Sequence, residues 1–243
     1  MRRGGRSVGL ALLGSAVLAG GLAVGCRSTG SSTPLTEDEL AMARTALDTP
    51  MPSSTAALYH LRVPSSGGMK LSLVRLEAAG RLTISEPFGS TVAVADWNSR
   101  GETRLYDLKQ ACQIEGGRLS EVLGVAAMPV PAVSRLLGGR FPVTAGDRVR
   151  FGSDGRIEIL GSQWTGFVSV LPSPWRVVKV EGPPGDGSWT LWLKDHSGSV
   201  PGWIRVEGSD GRWAELELVR LEHSTVTSLP PLPTLPVCGD EED

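Results

Sequence analysis

The spacing of apolar positions predicts a helix at the start of the folded part of the chain. Apolar side chains recur at helical spacing from Leu35 to Thr49. Thr36 and Glu39 have the spacing of a capping box, and Pro50 follows the segment. We therefore predict one amphipathic helix over residues 35–49.

After the prolines the pattern shifts to period two, which is typical of half-buried strands. Gly, Pro, Asn or Ser separates these segments, and the connections are short enough to make neighbouring strands antiparallel. A weaker pattern at 111–115 could add a further strand. The strongly patterned segments are Leu58–Val63, Met69–Glu77, Arg81–Ser85, Thr91–Trp97, Thr103–Tyr106, Arg148–Phe151, Arg156–Gly161, Thr165–Leu171, Arg176–Glu181, Trp189–Lys194, Gly202–Glu207 and Trp213–Leu221.

Between Leu119 and Leu137 the helical period returns in two short pieces. Gly124 ends the first piece, Pro131 opens the second, and Gly138 follows it. The expected architecture is mainly β, with about 11 to 12 antiparallel strands, an N-terminal helix and a short inserted helical pair. A sheet of that size curls, and the helices can cover its concave face as a lid.

The first 25 residues have the order of an export signal. Arg2, Arg3 and Arg6 precede an apolar run from Val8 to Val24, and small residues precede Cys26. A permanent transmembrane helix is the weaker alternative, since the run is interrupted by glycines and shorter than the roughly 20 residues that span a bilayer. We expect a cleavable signal peptide over residues 1–25.

The residues Leu22–Cys26 resemble the lipobox of bacterial lipoproteins, in which the cysteine thiol receives diacylglycerol and becomes the new N-terminus. The alternative is an ordinary signal peptide with a chance cysteine. The Ser, Thr, Gly and Pro residues of 27–34 argue for the lipobox, because they form a flexible tether over residues 26–34. The resemblance implies a membrane anchor of acyl chains such as palmitate on Cys26. Arg27, in place of Asp, implies the periplasmic face of the outer membrane.

Charge and length narrow the class of protein. Removal of the signal peptide removes three of the 24 basic residues and none of the 26 acidic residues. The net charge of the remaining chain is therefore near −5. Nucleic acid is therefore not an expected partner, because there is no basic excess. The length suits a single domain over 35–224, followed by a Pro-rich, acidic tail over 225–243.

Cys112 and Cys238 remain as thiols once Cys26 is acylated. Paired thiols in an oxidising compartment tend to cross-link, so we expect a disulfide that ties the tail to the domain. The alternative is a disordered tail with two free thiols, because sequence alone does not determine connectivity.

The residues indicate binding rather than catalysis. His60, His196 and His223 are far apart in sequence, and no nucleophile, phosphate-loop or metal-ligand motif accompanies them. We therefore expect no enzyme activity, metal or cofactor. The chain has seven tryptophans, all in or beside predicted strands, which either fill a core or line an apolar cavity.

Residues 61–142 resemble the LolA/LolB lipoprotein-localisation family, and above all the outer-membrane receptor LolB. The resemblance implies a curved antiparallel half-barrel whose apolar inner wall holds lipid or lipoprotein acyl chains, and a periplasmic carrier of LolA type as a partner. Beyond Val143 only the general strand pattern matches. The order and spacing of five segments carry the resemblance: Leu61–Val63, Met69–Leu73, Leu82–Ser90, Leu119–Gly124 and Leu136–Pro142.

In the receptor, the loop that matches Pro87, Phe88 and Gly89 bears an exposed apolar residue, which implies that Phe88 enters the membrane. The alternative is a Phe88 side chain buried under the sheet edge as a plug. The candidate cavity-lining residues are Leu71, Leu73, Leu82, Ile84, Val122, Leu136, Trp164 and Trp192.

The leading hypothesis is an outer-membrane lipoprotein that binds lipid or lipoprotein acyl chains without catalysis. The alternative is a structural or assembly lipoprotein of an envelope or secretion complex, which uses the same fold to bind a protein partner.

Replacing Cys26 tests the anchor. Cys26→Ser removes the thiol that would be acylated, so the protein should be released to the periplasm or remain unprocessed. Fractionation and intact mass of the variant check this. Membrane association after the signal has been cut would contradict acylation at Cys26.

Overall fold

The computed structural model describes residues 36–48, 54–64, 66–77, 79–100, 102–115, 127–144, 146–151, 156–161, 164–171, 175–185 and 187–238. These residues form helices α1 (Glu37–Asp48) and α2 (Val130–Leu137). They also form the strands β1 (Thr55–Val63), β2 (Ser66–Arg75), β3 (Gly80–Ser85), β4 (Thr91–Trp97), β5 (Thr103–Asp107), β6 (Cys112–Glu115), β7 (Arg148–Phe151), β8 (Ile157–Leu160), β9 (Thr165–Leu171), β10 (Arg176–Glu181), β11 (Trp189–Lys194), β12 (Trp203–Gly208) and β13 (Trp213–His223).

All the strands belong to one antiparallel sheet made of two meanders. The order is β6-β5-β4-β3-β2-β1-β13-β12-β11-β10-β9-β8-β7, so the pairing of β1 with β13 is the junction between the two meanders. The sheet is curved and unclosed, with β6 and β7 as its edges. The segment that connects β6 to β7 must therefore cross from one edge to the other, and it carries α2.

Register shifts mark where strands bend. The extra residue is Val219 where β13 pairs with β1, Val92 where β4 pairs with β3, and Val178 where β10 pairs with β9. An extra residue on one strand of a pair increases the local bend and twist. Extra residues of this kind favour curvature of the sheet.

The predicted architecture is confirmed as a mainly β, antiparallel, curved and unclosed sheet with helices. Among the described residues the strands number thirteen rather than 11 or 12, because the weakly patterned 111–115 segment contributes β6 through its pairing with β5. At the start of α1, the Thr36 amide donates to Glu39 Oε2 at 2.9 Å and the Glu39 amide donates to Thr36 Oγ1 at 3.3 Å, which is the predicted capping box. The first piece of the predicted helical pair, residues 119–124, lies outside the described residues.

The C-terminal segment after β13 runs along the outer face of the first meander. Arg81 Nη2 donates to the Pro230 carbonyl at 2.8 Å, while Arg81 also makes a two-point ion pair with Asp96. At the edge strand, the Gln113 amide donates to Pro236 and the Cys238 amide donates to Gln113. Cys112 and Cys238 form a disulfide across 126 residues of sequence. The tail thus covers the backbone of β6, which would otherwise be an open sheet edge.

In the part of the chain that the structure describes, no helix is both long and apolar enough to span a membrane.

Candidate functional site

One face of the sheet is apolar across both meanders. Side chains alternate along each strand, so one in every two points to this inner face. The inner-face residues form a continuous cluster that contains buried side chains of α2 and of strands from both meanders. Burial of each such Leu, Ile or Val contributes about 1.5–3 kcal/mol, so this face is the main source of the domain's stability.

Six of the eight candidate lining residues lie in this cluster. Their exposed fractions range from 0% to 6%, so they are packed against neighbours. The inner face in this structure is therefore filled at these positions. The six are Leu71, Leu73, Leu82, Ile84, Leu136 and Trp164. Val122 lies outside the described residues.

Trp192 does not line the inner face, and its assignment was wrong. On β11 the buried residues are Trp189, Leu191 and Leu193, and Trp192 alternates with them. Its side chain therefore points to the outer face, where it lines a shallow cavity with Arg176. The inner-face tryptophan of this strand is Trp189, whose ring centroid lies 6.3 Å from that of Trp164.

Helix α2 covers the inner face. It is only eight residues long, and six of them are buried, including Val133, Leu136 and Leu137. A helix this short has little stability of its own, so its position depends on contacts with the sheet. Of the inserted helical pair that the sequence predicted as part of the lid, α2 is the described helix, and the predicted N-terminal helix α1 contributes Leu40 to the same cluster.

Tyr59 connects the sheet to the C-terminal end of α2. Its side chain is fully buried in the inner row of β1, and its Oη donates to the Leu137 carbonyl at 3.0 Å. Burial raises the pKa of Tyr59, so the phenol stays protonated and remains a donor. Sequence reasoning missed this residue. The sequence feature that could have identified it is a tyrosine at an apolar, inward-facing position of a predicted strand. A tyrosine hydroxyl that is buried there needs a hydrogen-bond partner.

A second contact holds the turn that follows α2. Gly139 has φ +70°, and a Cβ at this position would overlap the carbonyl of Ser199, in the turn between β11 and β12. The close approach therefore requires glycine. The Arg135 side chain also donates from Nε to the Phe141 carbonyl at 2.7 Å, which orders the residues after the helix.

The loop between β3 and β4 presents Phe88 to solvent. The Gly89 amide donates to the Glu86 carbonyl at 2.9 Å, which makes a β-turn with Pro87 and Phe88 at its centre. Gly89 has φ +97°, which favours glycine. The Phe88 side chain is 98% exposed, so the structure does not place it as a plug under the sheet edge.

The histidines stand apart from this site. His60 is exposed on β1, His223 is exposed at the end of β13, and His196 lies 2.9 Å through Nε2 from the Val177 carbonyl. Burial is the main cause that lowers the pKa of His196. Among the residues that the structure describes, no three His, Cys, Asp or Glu side chains could hold a metal ion together.

Comparison with known proteins supports the fold. No protein-family model and no curated protein sequence matches the chain. Among solved structures, the chain is similar to a LolA superfamily protein from Nitrosomonas europaea, with a TM-score of 0.51 and 15% sequence identity. The match covers 81% of this chain and 96% of that protein. At this identity the likeness shows the fold alone, a LolA-like half-barrel.

Tyr59→Phe tests how α2 is held. Loss of the hydroxyl leaves the Leu137 carbonyl without this donor, so the free energy of unfolding should fall by about 1–3 kcal/mol. Amide hydrogen exchange of residues 133–137 should rise more than that of β11 and β12. The control is Tyr106→Phe, on the outer face of β5. Equal protection of α2 in both variants would contradict a local role for Tyr59.

Proposed function

We propose that this protein is a lipoprotein of the outer membrane that binds lipid or lipoprotein acyl chains on its inner face and moves them without catalysis. The role resembles that of LolB-type receptors, with a periplasmic carrier of LolA type as a partner. The anchor is the acylated Cys26. The domain then faces the periplasm at the end of its tether.

The observation that carries this proposal is the apolar inner face of an open sheet, which is covered by the short helix α2 and to which α1 contributes Leu40. The face stays apolar across both meanders, and the hydrogen bond from Tyr59 to the Leu137 carbonyl is a buried polar contact that holds the cover. Moving α2 away uncovers a continuous apolar wall. Acyl chains can replace the helix there, because each buried CH₂ contributes about 0.8 kcal/mol.

An unsatisfied polar atom on this face also supports an amphipathic ligand. The indole Nε1 of Trp164 is buried and makes no hydrogen bond within the described structure. A buried donor without a partner costs about 1–3 kcal/mol. An ester oxygen of a lipid could accept from this group and remove that cost.

Phe88 suits contact with a bilayer during transfer. Inserting one phenylalanine gains roughly 1.5–3 kcal/mol, which is too little to anchor a protein but enough to bias a tethered domain toward the membrane. Lys109, in the turn between β5 and β6, lies beside the loop and pairs with Glu86 at 3.0 Å.

A second candidate function is that of an assembly lipoprotein that binds a protein partner. The packing of the described inner face favours it, since six of the candidate lining residues have exposures of 0% to 6% and pack against protein neighbours. In this alternative the half-barrel is a solid scaffold, and a partner would bind elsewhere.

Native mass spectrometry of the full-length protein, extracted from membranes in mild detergent, separates the two functions. Acyl lipid bound in addition to the covalent anchor supports lipid binding. Tyr59→Phe should raise the lipid-bound fraction relative to Tyr106→Phe, because it loosens the cover. A lipid-free protein that co-purifies with a protein partner would contradict the proposal and favour the scaffold.

Phe88→Glu tests the membrane role of the loop. The variant should keep its thermal stability, because the side chain is 98% exposed, and should keep its membrane anchor. Transfer of bound lipid to liposomes should fall several-fold. The matched control is Leu171→Glu, which changes another exposed apolar residue at the end of β9. Equal transfer by both variants would show that Phe88 has no special role.

A further inference from the structure

The C-terminal segment over residues 229–238 has the sequence of a polyproline II helix. Proline fixes its own φ near −65° and restricts the residue before it to extended conformations. Residues 229–238 all belong to the described part of the chain, and none of them has a positive φ. These limits favour polyproline II, a helix with three residues in each turn. The prolines of the segment are Pro230, Pro231, Pro233 and Pro236.

Burial in this segment repeats every three residues, as expected of such a helix. Residues i, i+3 and i+6 lie along one edge of a helix with three residues in each turn. One edge is half-buried and faces the domain, and it consists of Leu229, Leu232, Leu235 and Cys238. The other two edges are exposed, and together they form the proline ridge, which consists of Pro230, Pro231, Pro233, Thr234, Pro236 and Val237.

The half-buried edge covers the outer face of the first meander. Val94 of β4 and Tyr106 of β5 are paired across the sheet and are buried, although neither belongs to the inner-face cluster. Leu232 lines a cavity together with Asp96 and Tyr106. The protein itself therefore uses one edge of the helix, and the two edges of the proline ridge face solvent.

The segment is held against the domain at both of its ends. Arg81 donates from Nη2 to the Pro230 carbonyl at 2.8 Å near the start. At the other end the Gln113 amide donates to the Pro236 carbonyl at 2.7 Å, and the disulfide joins Cys238 to β6. The proline ridge is thus ordered before any partner binds. A partner gains affinity from this, because binding does not have to order the segment.

We propose that the proline ridge is the docking site for a protein whose binding groove is lined by aromatic side chains. Grooves of this class bind Pro-x-x-Pro segments in the polyproline II conformation. The ridge contains this spacing twice, from Pro230 to Pro233 and from Pro233 to Pro236. Because the ridge lies on the outer face of the sheet, this role does not depend on what the inner face binds.

The sequence that follows the ridge adds a preference of charge. Residues 229–238 contain no charged side chain, and the sequence continues with Asp240, Glu241, Glu242 and Asp243. Complementary charges beside a binding surface increase the rate and the specificity of association. The partner is therefore expected to carry basic side chains next to its aromatic groove.

The first step of the test places a photocrosslinker on the ridge of the full-length protein. Thr234→p-benzoylphenylalanine is made in the cells that produce the protein, and mass spectrometry identifies the protein that is crosslinked. The matched control has the same probe at Thr225, an exposed threonine of the same C-terminal segment that lies outside the ridge. The adduct should be several-fold stronger at Thr234 than at Thr225.

The second step measures the affinity of the purified partner by titration calorimetry. Thr234→Arg places a long cation on the ridge and should weaken binding by about tenfold or more, whereas Thr225→Arg should not. Pro233→Ala, which removes one ring from the ridge, should weaken binding several-fold. A synthetic peptide of residues 228–237 should compete with the wild-type protein, and the affinity should fall as salt is raised. Non-reducing mass mapping checks that each variant keeps its disulfide.

Three outcomes would overturn the docking site. They are equal adducts or no adduct at Thr234 and Thr225, unchanged affinity in both Thr234→Arg and Pro233→Ala, and failure of the peptide to compete. Each would mean that a partner does not bind through the ridge. The lipid-bound fraction in native mass spectrometry should be the same in these variants as in the wild-type protein, so failure of the docking site is distinguishable from failure of the proposed function.

Discussion

The pairing of β1 with β13 is the interaction on which the rest of the structure depends. It joins Thr55–Val63 to Trp213–His223, close to the two ends of the described chain, and so merges two meanders into one sheet. Without it each meander has an unpaired inner edge and half of the apolar face. Ion pairs between Arg62 and both Glu215 and Glu217 cross this junction, but they are partly exposed and contribute little beside the backbone ladder and the buried side chains.

The same strand also positions the cover. β1 is central in the sheet, and its inner row contains Tyr59 beside the register shift at Leu58 and Tyr59. The phenol therefore reaches the Leu137 carbonyl from the middle of the concave face. One strand thus holds the two meanders together and holds α2 over them. The close approach of Gly139 to the Ser199 backbone adds a contact from the second meander, so the cover touches both halves of the sheet.

The two edge strands of the sheet, β6 and β7, are protected from pairing with another chain in different ways. β6 is covered by the C-terminal segment, which is bonded to Gln113 and linked through the disulfide at Cys112. β7 has Arg148 and Arg150 exposed along its short length, and charged side chains on a short edge strand oppose pairing with another chain. Under the proposed function, the apolar inner face is the surface that binds the acyl chains, and the exposed Phe88 is the residue that contacts the bilayer.

The sequence by itself determined whether each segment forms a helix, a strand or a turn. Period-two alternation, capping residues and turn residues all act through neighbours in the sequence. The α1 capping box, the antiparallel strands and the Pro87–Gly89 turn were predictable for that reason. The face of the sheet that a side chain occupies could be assigned only from the strand positions in the structure. Trp192 was misassigned because it and Trp189 lie on the same strand, an odd number of residues apart, and therefore point to opposite faces. Tertiary structure alone decided that β1 pairs with β13 and that Tyr59 meets Leu137 across 78 residues. These contacts join residues distant in sequence, and no local pattern encodes which distant groups the curvature of the sheet brings together.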